Sequence, residues 1–236
     1  MKKIFNEEIE SVKRRDPAAR STIEILLTYS GLHAVIAYRV AHKFYEKRLY
    51  LIARIISQTA RFITGIEIHP GAKIGKGFFI DHGSGVVIGE TAEIGDNCLI
   101  YQGVTLGGTG KDKGKRHPTL GNNVMVGAGA RVLGPFKVGD NAKIAANAVV
   151  LEEVPPNCTA VGVPARIVRR NGKRVTACDL DQIHIPDPVS QELCKQLARI
   201  ESLEKKMNKL EINELGKKYN TSTRSELSDK KSDDFK

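Results

Sequence analysis

Tryptophan is absent from this 236-residue chain and aromatic residues make up only 6% of it. The core must therefore be built from small and branched side chains rather than from stacked rings. Cysteine is scarce too. Cys98, Cys158, Cys178 and Cys194 lie far apart and form no Cys-x-x-Cys pair, which fits neither a zinc ribbon nor a disulfide scaffold. No apolar run approaches the roughly 20 residues that cross a bilayer, so no membrane association is expected. The opening stretch, Met1 to Glu8, turns acidic early and has no apolar signal segment, and a reduced cytoplasmic protein is expected. Acidic residues are in deficit, 27 against 37 basic, for a formal charge of +10. Basic proteins attract nucleic acids, anionic membranes or phosphorylated ligands. Neither an aromatic-interleaved basic stretch nor a nucleic-acid motif is present, so nucleic acid is not an expected partner, and a phosphate-bearing cofactor suits the same charge.

What is present is order along the chain. Residues 1–65 read as a helical domain. Asp16-Pro17 reads as a helix start, since Asp caps and Pro tolerates the first turn. Ile23, Leu26, Leu27, Ser30, His33, Ala34, Ala37, Tyr38, Ala41 and Phe44 then recur at helical spacing, with Gly31 weakening but not ending the run. Leu51 to Phe62 forms a further amphipathic segment. From residue 66 aliphatic residues recur every six positions. Ile68, Ile74, Ile80 and Val86 make one series, and Ile88, Ile94, Ile100 and Leu106 make a second, displaced by two residues. Leu120, Val126, Val132, Val138, Ile144 and Val150 make a third. A period of six is the hexapeptide β-helix signature: each hexapeptide gives one strand and one corner, three make a triangular coil, and coils stack. The aliphatic residue points inward, and Gly, Asn and Asp fill the corners because they tolerate unusual backbone angles.

The period assigns residues 66–168 to the β-helix, interrupted by a Gly- and Lys-rich loop over 107–119. An excursion from a solenoid often covers a functional face. Residues 169–188 read as a connector. A C-terminal helix follows over 189–216, with Leu193, Leu197, Ile200, Leu203, Met207 and Leu210 at coiled-coil spacing. The polar stretch 217–236 reads as a disordered tail.

A β-helix is only a scaffold, so function has to come from its sites. Three local features carry chemistry: Glu67-Ile68-His69-Pro70, Asp81-His82-Gly83-Ser84-Gly85 and Arg116-His117-Pro118. Glu67 and His82 are less than one 18-residue coil apart, close enough for stacked coils to bring them together at a corner. A carboxylate on one imidazole nitrogen leaves the other as a base. Plainer readings exist for each: Asp16 as a cap, Glu67 as a solvated charge, His82 as a corner residue, Arg116 as one more basic loop residue. The Gly-Asp-Asn corners read as backbone devices, and no metal is expected.

Residues 16–170 resemble the bacterial and plant serine acetyltransferases. The likeness runs through Arg15-Asp16-Pro17-Ala18, Ile68-His69-Pro70-Gly71-Ala72-Lys73-Ile74-Gly75, Asp81-His82-Gly83-Ser84-Gly85-Val86-Val87-Ile88-Gly89-Glu90-Thr91, Gln102-Gly103-Val104-Thr105-Leu106-Gly107-Gly108-Thr109-Gly110, Arg116-His117-Pro118 and Gly162-Val163-Pro164-Ala165. The hexapeptides are shared by many acyltransferases; the Asp-His, Leu-Gly-Gly-Thr-Gly and Arg-His-Pro elements together are much more specific. The resemblance implies a left-handed parallel β-helix and transfer of acetyl from acetyl-CoA, a co-substrate, to the L-serine hydroxyl, in cysteine biosynthesis. It implies His82 as general base and Glu67 as its orienting carboxylate, where many bacterial members have Asp. Asp16 and Asp81 would hold the substrate ammonium, Arg116 the carboxylate, and His117 would assist there or at the developing charge. Gly108, Ala128 and Ala146 would line the acetyl-CoA groove, with Lys143 and Arg166 near its phosphates. A homotrimer or dimer of trimers is expected, with sites between neighbouring β-helices. Family members often dock a cysteine synthase through a C-terminal isoleucine; this sequence ends Asp233-Asp234-Phe235-Lys236, which leaves that expectation open. The alternative is a hexapeptide acetyltransferase acting on a sugar or other hydroxyl acceptor. The Asp16 and Arg116 pair favours an amino acid, which needs partners for two opposite charges.

Overall fold

A computed structural model describes residues 2–110, 113–174 and 196–207. The chain divides into two compact units, Met1–Val175 and Thr176–Lys236. In the first, four helices precede the repeats: α1 (Lys2–Arg15), α2 (Thr22–Thr28), α3 (Ser30–Glu46) and α4 (Tyr50–Thr64). In the second, residues 196–207 form a helix with Leu197, Ile200, Leu203 and Met207 about half exposed. The expected tail, Leu193, Leu210 and most of the connector lie outside the described residues.

The repeats form three parallel faces. The first stacks β1 (Glu67–Ile68), β4 (Val87–Ile88), β7 (Thr105–Gly107), β10 (Arg131–Leu133) and β13 (Val149–Val150). The second stacks β2 (Lys73–Ile74), β5 (Glu93–Ile94), β8 (Thr119–Leu120) and β11 (Lys137–Val138). The third stacks β3 (Phe79–Ile80), β6 (Leu99–Ile100), β9 (Met125–Val126) and β12 (Lys143–Ile144). It continues into β14 (Cys158–Gly162), and β15 (Ala165–Arg170) and β16 (Lys173–Arg174) return antiparallel. All fourteen hexapeptide aliphatics are buried, none more than 8% exposed. They fill the prism with Ala72, Ala92, Val104, Ala130 and Ala148. The corner between the second and third faces is tied by a side-chain ladder. Asp96 accepts from the Lys76 N–H, Asn122 from the Asp96 N–H and Asp140 from the Asn122 N–H. This answers the backbone donors that a tight corner strands.

The coils are unequal, and the inequality positions the site. Paired residues are 18 apart from Arg131 to Val149, 20 apart from Glu67 to Val87 and 26 apart from Thr105 to Arg131. The two extra residues of the first coil fall in the corner at Asp81–Gly85, between the third and first faces. The larger excess is the 107–119 loop, between the first and second faces.

Two helical expectations need correction. Asp16-Pro17 does not start a helix: α1 ends at Arg15, and the Asp16 carboxylate accepts from the Ala18 N–H (2.8 Å) in a turn. The real start lies further on. Ser21 caps α2 by accepting from the Glu24 N–H, and the Glu24 carboxylate reaches back to the Arg20 N–H, a close relative of the capping box. The run from Ile23 to Phe44 is also not continuous. Tyr29 is extended (φ −87°, ψ 98°) and separates α2 from α3.

Helices α3 and α4 close the open end of the prism. A β-carbon at Gly31 would overlap the Ile80 carbonyl oxygen, so only glycine lets α3 lie this close to β3. Tyr38 donates to the Ala72 carbonyl (2.6 Å) and Ser57 to the Ile68 carbonyl (2.7 Å). Arg39 joins α1 to the coils: it pairs with buried Glu8 (2.8 Å) and donates to the Ile74 and Gly75 carbonyls. Burial comes first among the causes raising the Glu8 carboxyl above its ordinary value, with Arg39 opposing.

Candidate active site

The sequence-selected residues gather in two clusters on two corners of the prism. The first lies between the third and first faces. His82 sits on the two-residue excursion in the left-handed region (φ 58°), a conformation that histidine, with Asn and Asp, adopts more readily than most residues other than glycine. Its imidazole is 77% exposed, with Nε2 3.9 Å from Asp81 Oδ1. Ser30, at the start of α3, donates to the His82 carbonyl (3.0 Å). Asp16 reaches this corner from the helical domain: His82 is close enough to act on its carboxyl, while the preceding Arg15 is bound to the Asn97 and Cys98 carbonyls at the neighbouring corner of the third face. Its second oxygen accepts from the Tyr29 hydroxyl (2.5 Å). The Tyr29 and Ala18 hydrogen bonds hold the Asp16 carboxyl below its ordinary value, with a smaller contribution from nearby His82. Acidic groups and an accessible imidazole thus share one corner, suited to a cation beside a proton acceptor.

Glu67 lies at the start of β1, close to this corner, where the Gly85 N–H donates to the Gly65 carbonyl. Its carboxylate pairs with Arg61 of α4 at 3.2 Å. Among the described residues no hydrogen bond or ion pair joins it to His82. Running from His82 along the same corner are small residues, coil upon coil. Gly103 donates to the Ser84 carbonyl, Gly129 to the Gln102 carbonyl and Asn147 to the Ala128 carbonyl. Ala128 and Ala146 belong to this track, and Lys143 and Arg166 lie on the third face beside it, Arg166 paired with Glu152 at 3.0 Å.

The second cluster lies between the first and second faces, where the 107–119 loop returns. Arg116 pairs with Glu90 (2.6 Å), and Tyr45 donates to the other Glu90 oxygen (3.1 Å). The Arg116 hydrogen bond, outweighing burial, holds the Glu90 carboxyl below its ordinary value. The pair engages one edge of the guanidinium fork and leaves further donors for a second carboxylate. His117 is buried against Gly89, where a β-carbon would overlap the imidazole ring. Its Nδ1 lies 3.2 Å from the Thr91 N–H and 2.9 Å from the Thr91 hydroxyl. A backbone N–H can only donate, so Nδ1 accepts and the ring proton sits on Nε2. Burial, then Arg116, holds the His117 value down, which keeps the ring neutral. Gly108 packs against Arg116 and His117 and belongs to this cluster, not to the small-residue track.

Three supporting residues were given no role by the sequence: Tyr29, and Glu90 and Thr91, which close the family-like stretch from Asp81. Glu90-Thr91 directly follows Ile88-Gly89, and its position next to a corner glycine was the available signal. Tyr29 gave none, because it lay inside an apparently continuous helix.

Comparison with known proteins places this arrangement. Residues 117–152 match the bacterial transferase hexapeptide model (six repeats). A serine acetyltransferase of Bacillus pumilus is 56% identical over 208 residues, 88% of this chain and 92% of that protein. The crystal structure of the Neisseria gonorrhoeae serine acetyltransferase in complex with serine is 41% identical, with a TM-score of 0.68 over 71% of this chain and 69% of that one. The Brucella abortus serine acetyltransferase in complex with coenzyme A is 43% identical, with a TM-score of 0.70 over 72% of this chain and 68% of that one. The repeats therefore coil as a left-handed parallel β-helix, and the chain belongs to the serine acetyltransferase family.

Proposed function

We propose that the chain transfers acetyl from acetyl-CoA to the hydroxyl of L-serine, giving O-acetyl-L-serine and CoA, by direct transfer with His82 as general base. The carrying observation is the pairing of chemistries on the two corners. Asp16, Asp81 and an exposed His82 suit an ammonium beside a hydroxyl, and Arg116 with His117 suits a carboxylate. Relatives solved with serine and with coenzyme A support the same substrates.

In the reaction, the His82 imidazole removes the serine hydroxyl proton as the oxygen attacks the thioester carbonyl. General-base help of this kind contributes roughly a hundred- to ten-thousandfold. The carbonyl oxygen becomes an oxyanion, for which the Nε2–H of His117 or a backbone N–H near Gly108 is the donor. Collapse breaks the carbon–sulfur bond, and the leaving thiolate takes the proton back from the imidazolium. Glu67 is assigned to orienting His82, which requires it to exchange its Arg61 partner. The track through Ala128 and Ala146 lets the pantetheine arm run close to the backbone, towards Lys143 and Arg166.

The proposal includes a homotrimer, alone or as half of a dimer of trimers. The two clusters stand at opposite ends of the first face in one chain, so a neighbouring copy completes each site. A cytoplasmic setting belongs to the same proposal. The first experiment measures CoA release from acetyl-CoA with L-serine, with D-serine and without acceptor, beside His82→Ala. Stimulation by L-serine alone, lost in the variant, is expected. Folded protein that releases CoA with a sugar acceptor but not with L-serine overturns the reading.

A further inference from the structure

We propose that Tyr29 is a positioning residue for the acceptor's amino group, holding the Asp16 carboxylate in register with His82. The inference rests on the serine acetyltransferase reading above and assigns a role within that site. Asp16 lies in a turn of the helical domain, whereas His82 lies on the β-helix, so something must index one to the other. Three consecutive residues at the break between α2 and α3 do so. The Tyr29 hydroxyl donates to Asp16 Oδ2 (2.5 Å), Ser30 Oγ donates to the His82 carbonyl (3.0 Å), and Gly31 lies against the Ile80 carbonyl, two residues before His82.

The geometry suits one task. Asp16 Oδ1 is held by the Ala18 N–H (2.8 Å) and Oδ2 by Tyr29, so both oxygens are fixed and each keeps a lone-pair direction for an ammonium donor. In an amino acid the amine and hydroxyl are separated by a fixed short span. Moving the ammonium anchor therefore moves the hydroxyl away from the base, and alignment is a large part of catalysis. Burial and the Asp16 bond push the Tyr29 phenol up to about 12, so it remains a donor at any working pH. Glu24 of α2 and Asp81 of the first cluster face the same phenol and act in the same direction.

The test removes one oxygen atom. In Tyr29→Phe the KM for L-serine is expected to rise about three- to tenfold, the loss of a partly exposed charge-assisted hydrogen bond. The KM for acetyl-CoA stays unchanged, and kcat falls about two- to fivefold as the hydroxyl loses its alignment with His82. A purely structural role is separated by a double-mutant cycle on kcat/KM for serine with Asp16→Asn. Once Asp16 is neutralised, Tyr29→Phe is expected to have no further effect. Independent, multiplying losses overturn the inference, as does a Tyr29→Phe protein that fails to fold or that raises both KM values. The wild-type assay comes first. Without serine-dependent CoA release the functional reading itself falls; with it, an unchanged serine KM in Tyr29→Phe sinks only this inference.

Discussion

Replacing Thr91 with Val removes one hydroxyl at constant shape, and the structure fixes what that hydroxyl does. Its oxygen accepts from the backbone N–H of Arg116 (3.0 Å) and of His117 (3.1 Å). With both lone pairs engaged, its proton points to His117 Nδ1, 2.9 Å away. Valine strands two backbone donors at the point where the 107–119 loop rejoins the coil. A buried donor left unmade costs about 1–3 kcal/mol. His117 is buried and Arg116 is half-buried, so water repays the second loss more readily than the first. The expected total is therefore about 2–3 kcal/mol, or a fall in Tm of roughly 5–10 °C for a chain of this size. Urea unfolding at fixed protein concentration measures it directly. Activity should fall as well, because His117 retains only the Thr91 N–H to hold its tautomer. Thr91→Ser keeps the oxygen and should recover most of both losses. A Val variant within about 0.5 kcal/mol of wild type, the range of ordinary surface changes, would refute the reasoning, and so would a Ser variant as damaged as Val.

Other expectations are as specific. Burial, the largest cause at each, holds His69 and His117 below the ordinary value of 6.5. The unfolded chain then binds protons first as pH falls. Both groups should make stability decline on acidification through 6.5 towards their native values, and His69→Asn should flatten the slope in denaturant titrations from pH 7 to 5. Arg39→Met leaves the buried Glu8 carboxylate unpaired and two coil carbonyls without their donor. A loss of about 3–5 kcal/mol is expected, with α1 released to limited proteolysis. Gly31→Ala should destabilise by about 1–3 kcal/mol despite better helix propensity, because the new methyl meets a backbone carbonyl and one helix has to shift.

The scaffold was readable from the chain because each hexapeptide aliphatic does one job at one position. Ile68, Leu106, Leu120 and Val150 are all driven by the same burial, so the period survives in the sequence. The candidate site was readable for a complementary reason: it lies where the period fails. The two-residue excess between Ile80 and Ile88 carries Asp81 and His82, and the wider gap after Leu106 carries Arg116 and His117. What was not readable depends on contacts between distant segments. Tyr29 looks like an ordinary helical apolar residue until Asp16 folds back to its hydroxyl. Glu67 pairs with Arg61 across a helix-to-strand junction that spacing does not reveal. Asp16-Pro17 carries signals for a cap and for a turn alike, and the competing Ser21–Glu24 pair decided between them.

The separation of the clusters gives the strictest test of where the site is assembled. His82 projects from the corner between the third and first faces, and Arg116 from the corner between the first and second. Each corner is anchored independently, one by Ser30 and the two-residue excursion, the other by Glu90 and Thr91. No rotation of a side chain can carry one cluster across a β-sheet face to the other. If sites form between copies related by a rotation axis, a His82→Ala chain and an Arg116→Ala chain damage different halves of each site. Mixed by co-expression, they should regain about one quarter of wild-type activity, since a site needs its His82 from one parent and its Arg116 from the other in a cyclic assembly. Each variant alone should stay near background. The double variant, co-expressed with either single variant, supplies the control: it restores no damaged half, and that mixture should stay near background. A mixture that remains at the sum of its inactive parents, in assemblies verified to contain both chains, would place the whole reaction within a single chain.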